Sequence, residues 1–351
     1  MWIFTTNPAV TGATGLHAFA AKFLPQLPHI FIDQLTEPGD VVLDAMMGSG
    51  TALVEAATLG RRGLGFDIDL LPVRITQAKT MLNTCDLNDE KCDVVGQSRR
   101  LLQDTDLVES AIQSRFDDDT KKFIDYWFLL DTQRELMTLV LTIEKIADSG
   151  LRRILELTFS SIIVTKSGGV SRAMDLAHGR PHRVNSKTPR NAIQQFERKL
   201  RQYLLYFSKQ DVGKAAGVMA QPVMGDARAL PLNNDVVDLI VTSPPYANAI
   251  DYMRAHKYSL VWLGCSTAEL SRKRATYIGA ERIAGQGGPI LPESSERTIP
   301  APTELDSTRA RILRRYFSER AQSISELSRV LRSGRAAVLV VGTSTMRGLD
   351  V

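Results

Sequence analysis

The chain has 351 residues, of which 44% are hydrophobic, 23% charged and 7% aromatic, with 24 Gly, 15 Pro and 3 Cys. This composition excludes collagen-like, low-complexity and disulfide-scaffold proteins, and at roughly 100–200 residues per domain it leads us to expect two units. No apolar run reaches the ~18–20 residues that cross a bilayer, and residues 1–10 lack the basic flank and long apolar stretch of a signal peptide, so a cytoplasmic protein is expected.

Cys85, Cys92 and Cys265 are odd in number and have no nearby His or second Cys pair, so neither a zinc site nor a disulfide framework is indicated and no metal is expected. The net charge of +4 is unevenly spread: residues 151–210 carry 12 Lys or Arg against 3 Asp or Glu, a local +9, which leaves −5 on the remainder. A basic segment therefore sits inside a slightly acidic protein.

Four short apolar runs, at residues 41–43, 63–66, 238–241 and 336–341, are rich in Val, Ile or Leu and bounded by Gly, Asp or Ser. Continuous apolar runs of this kind suit strands buried on both faces of a parallel sheet. Residues 51–59 have helical composition and stop at Gly60, which with the first two strands makes a βαβ unit of about minimum length. Residues 72–82 predict a second helix. From about residue 86 the spacing changes: Phe123, Tyr126, Trp127 and Leu130, then Leu136, Leu139, Val140 and Ile143, then Ile154, Leu155, Thr158 and Ile162 recur at three and four positions. The sheet pattern resumes only near Val223, so residues 86–217 are read as a helical insertion between two parts of one domain, 1–85 and 218–351. Residues 265–305, with Gly285, Gly287, Gly288 and four prolines, are expected to form a long loop or flap.

The first strand runs through Asp44-Ala-Met46-Met-Gly48-Ser49-Gly50-Thr51 directly into a helix. The two glycines let backbone approach a ligand where a Cβ would collide, at the strand end where open α/β sheets bind ligands. No Gly-Lys-Ser/Thr follows, which disfavours a nucleotide P-loop, and Leu53 leaves Gly-x-Gly-x-x-Gly incomplete. The second strand delivers Asp67, placed to accept hydrogen bonds from both hydroxyls of a ribose; as a bland alternative Asp67 is a helix cap. A later strand opens into Ser243-Pro244-Pro245-Tyr246, where two prolines fix a rigid turn, their carbonyls stay available, and a flat ring is presented. Ser243 Oγ and the Pro244 carbonyl suit the two hydrogens of an exocyclic amino group, with Tyr246 stacked on its ring.

Together these motifs resemble the amino-methylating DNA methyltransferases, S-adenosylmethionine-dependent enzymes acting on N4 of cytosine or N6 of adenine. Ser243-Pro-Pro-Tyr246 resembles their catalytic motif, with Ser as the form usual in cytosine enzymes. Asp44 to Thr51 resembles their cofactor motif, although Ala45, Met46 and Met47 replace the usual Pro-Phe-x. His17-Ala-Phe19-Ala-Ala-Lys22-Phe23-Leu-Pro25 resembles the amino-terminal motif that closes over the methionine end of the cofactor, Asp67 falls at the ribose position, and Gly225-Asp226-Ala227 resembles the end of the third strand, where Asp226 would meet the adenine amino group. The resemblance implies a Rossmann-like methyltransferase sheet of α/β class carrying the helical insertion. It also implies that the sheet should continue beyond the fifth strand into a terminal hairpin; the chain stops about ten residues after that strand, so a missing hairpin, or a second polypeptide or dimer partner at that sheet edge, is expected.

The expected chemistry is direct methyl transfer to an amine drawn from the duplex by base flipping, since no Cys follows Pro to supply the thiolate that carbon methylation needs. Arg172, Arg180, Arg183, Lys187 and Arg190 of the basic segment are the expected phosphate contacts, with Arg198, Lys199 and Arg201 either joining them or forming an ordinary solvated helix face. Asp251, Tyr252, Arg254, His256, Lys257 and Tyr258 either shape the pocket or, with Val261 and Trp262, form a buried helix face. Alternatives are an adenine-N6 enzyme, an RNA base amino-methyltransferase, and a non-catalytic nucleic-acid-binding subunit.

Overall fold

The computed structural model describes residues 16–19, 22–80, 93–165, 169–174, 176, 181–208, 220–246, 251–280, 307–342, 345–346 and 349–350. In chain order the strands are β1 (Val41–Asp44), β2 (Arg62–Asp67), β3 (Ala173–Met174), β4 (His182–Arg183), β5 (Ala220–Met224), β6 (Val237–Thr242), β7 (Leu331–Leu339), β8 (Thr345–Met346) and β9 (Leu349–Asp350). The helices are α1 (Gln26–Leu35), α2 (Thr51–Thr58), α3 (Leu70–Thr80), α4 (Val94–Leu101), α5 (Thr105–Arg115), α6 (Asp118–Trp127), α7 (Leu130–Glu144), α8 (Ser149–Ile163), α9 (Ala192–Ser208), α10 (Met253–Leu260), α11 (Thr267–Arg274) and α12 (Ser307–Val330).

The main sheet has the order β5-β2-β1-β6-β7 and every pairing in it is parallel. The chain builds outward from β1 to β2 and β5, then returns to the other side of β1 for β6 and β7. Direction reverses between β1 and β6, which makes their carboxyl ends the topological switch point where open α/β sheets bind ligands. β1 and β6 are buried at every residue, as their unbroken apolar runs predict, whereas β7 is a half-exposed edge. β3 with β4 and β8 with β9 form separate two-stranded antiparallel pairs, so the short turn after β7 is bonded to itself rather than to the main sheet.

The described residues divide into two units, one drawn from 23–73, 217–251 and 271–351, the other from 1–22, 74–216 and 252–270. The sheet unit is three-layered. Ile32 of α1 and Ala56 of α2 pack on Val42, Leu239 and Val241 on one face. Leu327 and Val330 of α12 pack with Leu43, Phe66 and Ile240 on the other. A buried carboxylate staples the amino ends: Asp238 Oδ2 accepts from the Val41 amide at 2.9 Å, and Oδ1 from Arg332 Nη1 at 2.5 Å and Arg335 Nη2 at 3.2 Å.

The helical unit is held by an apolar interior that includes Leu136, Leu139, Ile154, Phe159, Phe196 and Tyr203, all at 0% exposure. Four of its helices begin alike. Asp93, Asp104, Asp117 and Asp148 cap α4, α5, α6 and α8, accepting from the amides of Gly96, Leu107, Thr120 and Leu151 at 2.6–3.1 Å. Each such cap is worth about 1 kcal/mol.

One expectation needs correcting. Part of the stretch 265–305 is helix: α11 follows Ser266, whose Oγ accepts from the Glu269 amide at 3.1 Å, and its Ala, Glu, Leu, Arg and Lys residues favour helix over loop. The part from residue 281 to 305 lies outside the described residues.

Removing the Asp238 staple should be costly, because the Val41 amide loses its acceptor within the sheet. Asp238→Ala is expected to lower unfolding free energy by about 2–4 kcal/mol in urea titration. Arg335→Ala, on a half-exposed partner, should cost about 0–1 kcal/mol in the same measurement.

Candidate active site

The glycine turn between β1 and α2 is shaped by backbone that other residues resist: Gly48 has φ 49° and Gly50 φ 76°. It is tied to the neighbouring strand by Met47 N donating to Phe66 O at 2.9 Å and Gly48 N donating to Asp67 Oδ2 at 3.0 Å. The second Asp67 oxygen accepts from the Asp69 amide at 2.8 Å. The amino end of α2 has no side-chain cap, and Thr51 Oγ1 is buried without a hydrogen-bond partner among the described residues. Ser49 is buried and Met46 half-buried beside them.

The carboxylates here are under electrostatic pressure. Burial pushes Asp67 up to about 8, with the charges of Asp69 and Asp44 adding to the effect and the amides of Asp69 and Gly48 opposing it. Burial likewise raises Asp44 to about 6 against its bonds from Thr242 and Met46. Asp44 is 2% exposed; its Oδ1 accepts from Thr242 Oγ1 at 2.7 Å and from the Met46 amide at 3.2 Å. Asp44 thus positions the turn.

The Ser243-Pro-Pro-Tyr246 turn follows β6 directly. Ser243 Oγ donates to Val340 O at 3.1 Å, which commits its proton to the backbone and leaves the oxygen's lone pairs as acceptors. Pro245 O accepts from Tyr316 Oη of α12 at 3.0 Å. Pro244 is buried, and the Tyr246 ring is 37% exposed. Gly342 makes room for that ring, since a Cβ there would lie 3.1 Å from Tyr246 Oη.

Asp226 follows β5 and is gripped by Arg228, whose Nε and Nη2 donate to its carboxylate at 2.6–3.1 Å. Burial alone would raise the carboxyl; the Arg228 bonds and charge overcome it and hold it below its ordinary range. Arg228 also donates to Glu319 Oε1 at 2.8 Å and Thr276 O at 2.9 Å.

Phe19 and Lys22 belong to the helical unit. The Phe19 ring stacks on Tyr252 at 5.6 Å and leans on His256 at 5.1 Å. Its segment is anchored at both ends of residues 16–17: Tyr203 Oη donates to Leu16 O, and His17 Nε2 meets Ser160 Oγ at 2.8 Å, which meets Ser259 Oγ at 2.9 Å. Lys22 is half-buried and its charge helps burial push the nearby Lys79 down to about 7. The two readings of residues 251–262 divide. Tyr258, Val261 and Trp262 are 0% exposed and form core, while Tyr252 and His256 frame Phe19.

The basic residues are unequally available. Arg180 lies outside the described residues. Lys187 Nζ donates to Ala173 O at 2.7 Å, and Arg183 lies over the Tyr126 ring at 4.5 Å. The Nε atoms of Arg172 and Arg183 are buried without a hydrogen-bond partner among the described residues. Arg190 is exposed. On α9, Arg201 pairs with Glu197 at 2.6 Å and Arg198 bonds Gln195 at 2.7 Å, the pattern of a solvated helix face. Sequence reasoning missed Thr242, Arg228 and Tyr316, which act through contacts distant in the chain; Tyr126, read only as helix periodicity, is 48% exposed beneath Arg183.

An N6/N4-type DNA methylase family model matches residues 1–78, the span that carries Phe19, the glycine turn and Asp67. The type II methyltransferase M.MvaI of Kocuria varians is 22% identical across 95% of this chain and 78% of its own length. The type II methyltransferase M.MjaII of Methanocaldococcus jannaschii is 28% identical over 125 residues, 35% of this chain, which spans 23% of that protein. With the motifs in family order on a parallel α/β sheet, these similarities support placing the chain with the DNA amino-methyltransferase family.

Proposed function

We propose that this protein is a site-specific DNA methyltransferase that methylates the exocyclic N4 amino group of a flipped-out cytosine. The observation that carries the reading is the state of Ser243: with its proton given to Val340 O, its oxygen is an acceptor for an amino hydrogen. The neighbouring Pro245 carbonyl accepts from Tyr316 Oη, and the Pro244 carbonyl would serve as the second acceptor of the turn.

The residues at the glycine turn fit S-adenosylmethionine. Asp67, raised by burial and by neighbouring carboxylates, gains from donors such as ribose hydroxyls. Thr51 Oγ1 lacks a partner among the described residues, and the uncapped end of α2 offers amide donors. Gly48, Ser49, Gly50 and Met46 would line the nucleoside, Asp226 would meet the adenine amino group, and Phe19 and Lys22 would serve the methionine end. When bound there, the cofactor would supply an electrophilic methyl on a sulfonium, whose loss would leave a neutral thioether.

An exocyclic amine is a weak nucleophile because its lone pair is delocalised into the base. Acceptance of both its hydrogens by Ser243 and Pro244 localises that pair, and Tyr246, partly exposed, stacks on the extruded ring. The methylated nitrogen then sheds one proton to solvent. In the helical insertion, Arg172, Arg180, Arg183, Lys187 and Arg190 would neutralise phosphates, with Arg183 pre-oriented by Tyr126.

Nucleoside analysis after incubating the protein with radiolabelled S-adenosylmethionine and duplex DNA should yield labelled 4-methylcytosine; 6-methyladenine would overturn the base assignment, and label confined to RNA would overturn the DNA assignment. Ser243→Ala and Tyr246→Ala should cut turnover by about 100-fold or more with cofactor affinity nearly unchanged. Arg190→Ala should weaken DNA binding and lower the slope of log K against log salt by about 0.9. A further outcome concerns Asp67. Its folded-state value of about 8 lies above the ordinary 3.8, so the folded protein holds a proton that the unfolded chain has lost. Stability of the unliganded protein should therefore fall as pH rises between those values, and Asp67→Asn should flatten that slope in urea titrations while weakening cofactor binding.

A further inference from the structure

One segment of the sheet unit has no counterpart among the motifs: the turns that follow α11, at residues 275–280. Arg315 Nη2 donates to Ala275 O at 2.9 Å, Arg228 Nη2 to Thr276 O at 2.9 Å, and the Gly279 amide to Glu319 Oε2 at 3.1 Å. The segment is thereby pinned to α12 and to the arginine that holds Asp226. Out of it projects Tyr277, whose Oη donates to Asp69 Oδ2 at 3.0 Å.

Asp69 is a junction. It is 3% exposed, its Oδ1 accepts from the Leu71 amide at 3.2 Å at the start of α3, and its own amide donates to Asp67 Oδ1. A chain of bonds therefore runs from the Gly48 amide through Asp67 and Asp69 to Tyr277. Two carboxylates two residues apart, Asp69 buried and Asp67 half-buried, repel each other, and a phenol donor on Asp69 relieves part of that cost. Burial and the surrounding aspartates push the Tyr277 hydroxyl far above its ordinary range, so it remains a donor throughout the working pH range. The other end of the segment reaches the catalytic turn. Gly279 has φ 73°, and a Cβ on it would stand 3.3 Å from the Tyr316 ring and 3.6 Å from Tyr246 O; Tyr316 in turn bonds Pro245 O.

We propose that Tyr277 is a positioning residue for the cofactor: through Asp69 it fixes the Asp67 carboxylate that receives the ribose, and through its own segment it couples that carboxylate to the Ser-Pro-Pro-Tyr turn. The inference rests on the reading of Asp67 as the ribose acceptor. It differs from a plain staple of the fold in what it moves. Because the ribose is common to S-adenosylmethionine and S-adenosylhomocysteine, loss of the phenol oxygen weakens both equally.

The test is equilibrium dialysis of both compounds against the full chain and Tyr277→Phe. Expected is a rise in Kd of about 5–20-fold for each, with their ratio unchanged and turnover at saturating cofactor reduced by no more than about threefold. Asp69→Asn, which keeps one acceptor oxygen, should raise both Kd values in the same direction and should make the Tyr277→Phe change largely non-additive; it also serves if Tyr277→Phe does not fold. A folded Tyr277→Phe or Asp69→Asn protein with wild-type Kd values, whatever its melting temperature, overturns the proposal. A wild-type chain that binds neither compound overturns the cofactor reading itself, and this inference with it.

Discussion

A single buried hydrogen bond, from Thr242 Oγ1 to Asp44 Oδ1 at 2.7 Å, fixes the working end of the sheet. β1 and β6 are in register only at Val42 with Leu239 and Leu43 with Ile240. Past that point their connections leave in opposite directions, as the switch in strand order demands, and backbone pairing no longer controls their separation. The Thr242 side chain closes that gap. On one side it seats the carboxylate that orients Met46; on the other it is the residue before Ser243, and its carbonyl accepts from the Val340 amide at 3.0 Å. The glycine turn and the Ser-Pro-Pro-Tyr turn therefore share one anchor.

The same end of the sheet gathers Asp44, Asp67, Asp69 and Asp226, each managed differently. Asp226 has a guanidinium, Asp44 a threonine hydroxyl, Asp69 a phenol and a helix amide, and Asp67 two backbone amides. Asp226 is held below its ordinary range, while Asp44 and Asp67 are raised to about 6 and about 8. A fold selected for stability alone would not crowd four carboxylates, two of them buried, in this way. Local conflicts of this kind tend to collect at functional sites.

Much of this was legible in the sequence, and the residues explain why. β1 and β6 are buried on both faces, so Val-Val-Leu and Leu-Ile-Val carry the signal without alternation. The glycine turn and Ser-Pro-Pro-Tyr are contiguous, so their chemistry could be read in place. The Asp caps at 93, 104, 117 and 148 were equally local, yet the insertion was read through its apolar spacing alone. Thr242, Arg228, Tyr277 and Tyr316 were not legible, because each acquires its meaning from a partner brought near by folding; Tyr277 and Asp69 are 208 positions apart. The charge of residues 151–210 was visible, but its partition was not: Lys187 closes a carbonyl, Arg183 covers Tyr126, and Arg201 pairs with Glu197.

The parallel pairing of β2 with β5 sets Gly63 against Ala220. A ribosome adding ~5–20 residues per second needs on the order of ten to thirty seconds to bridge that interval, and until then β2 presents an unpaired edge. Helices α4 to α9, with their Asp caps and short-range contacts, are made during the wait, whereas the sheet must close by long-range pairing, which is intrinsically slow. Synthesis thus supplies α4 to α9 before the last partner of β2, and an edge strand left waiting is the kind of surface through which chains aggregate.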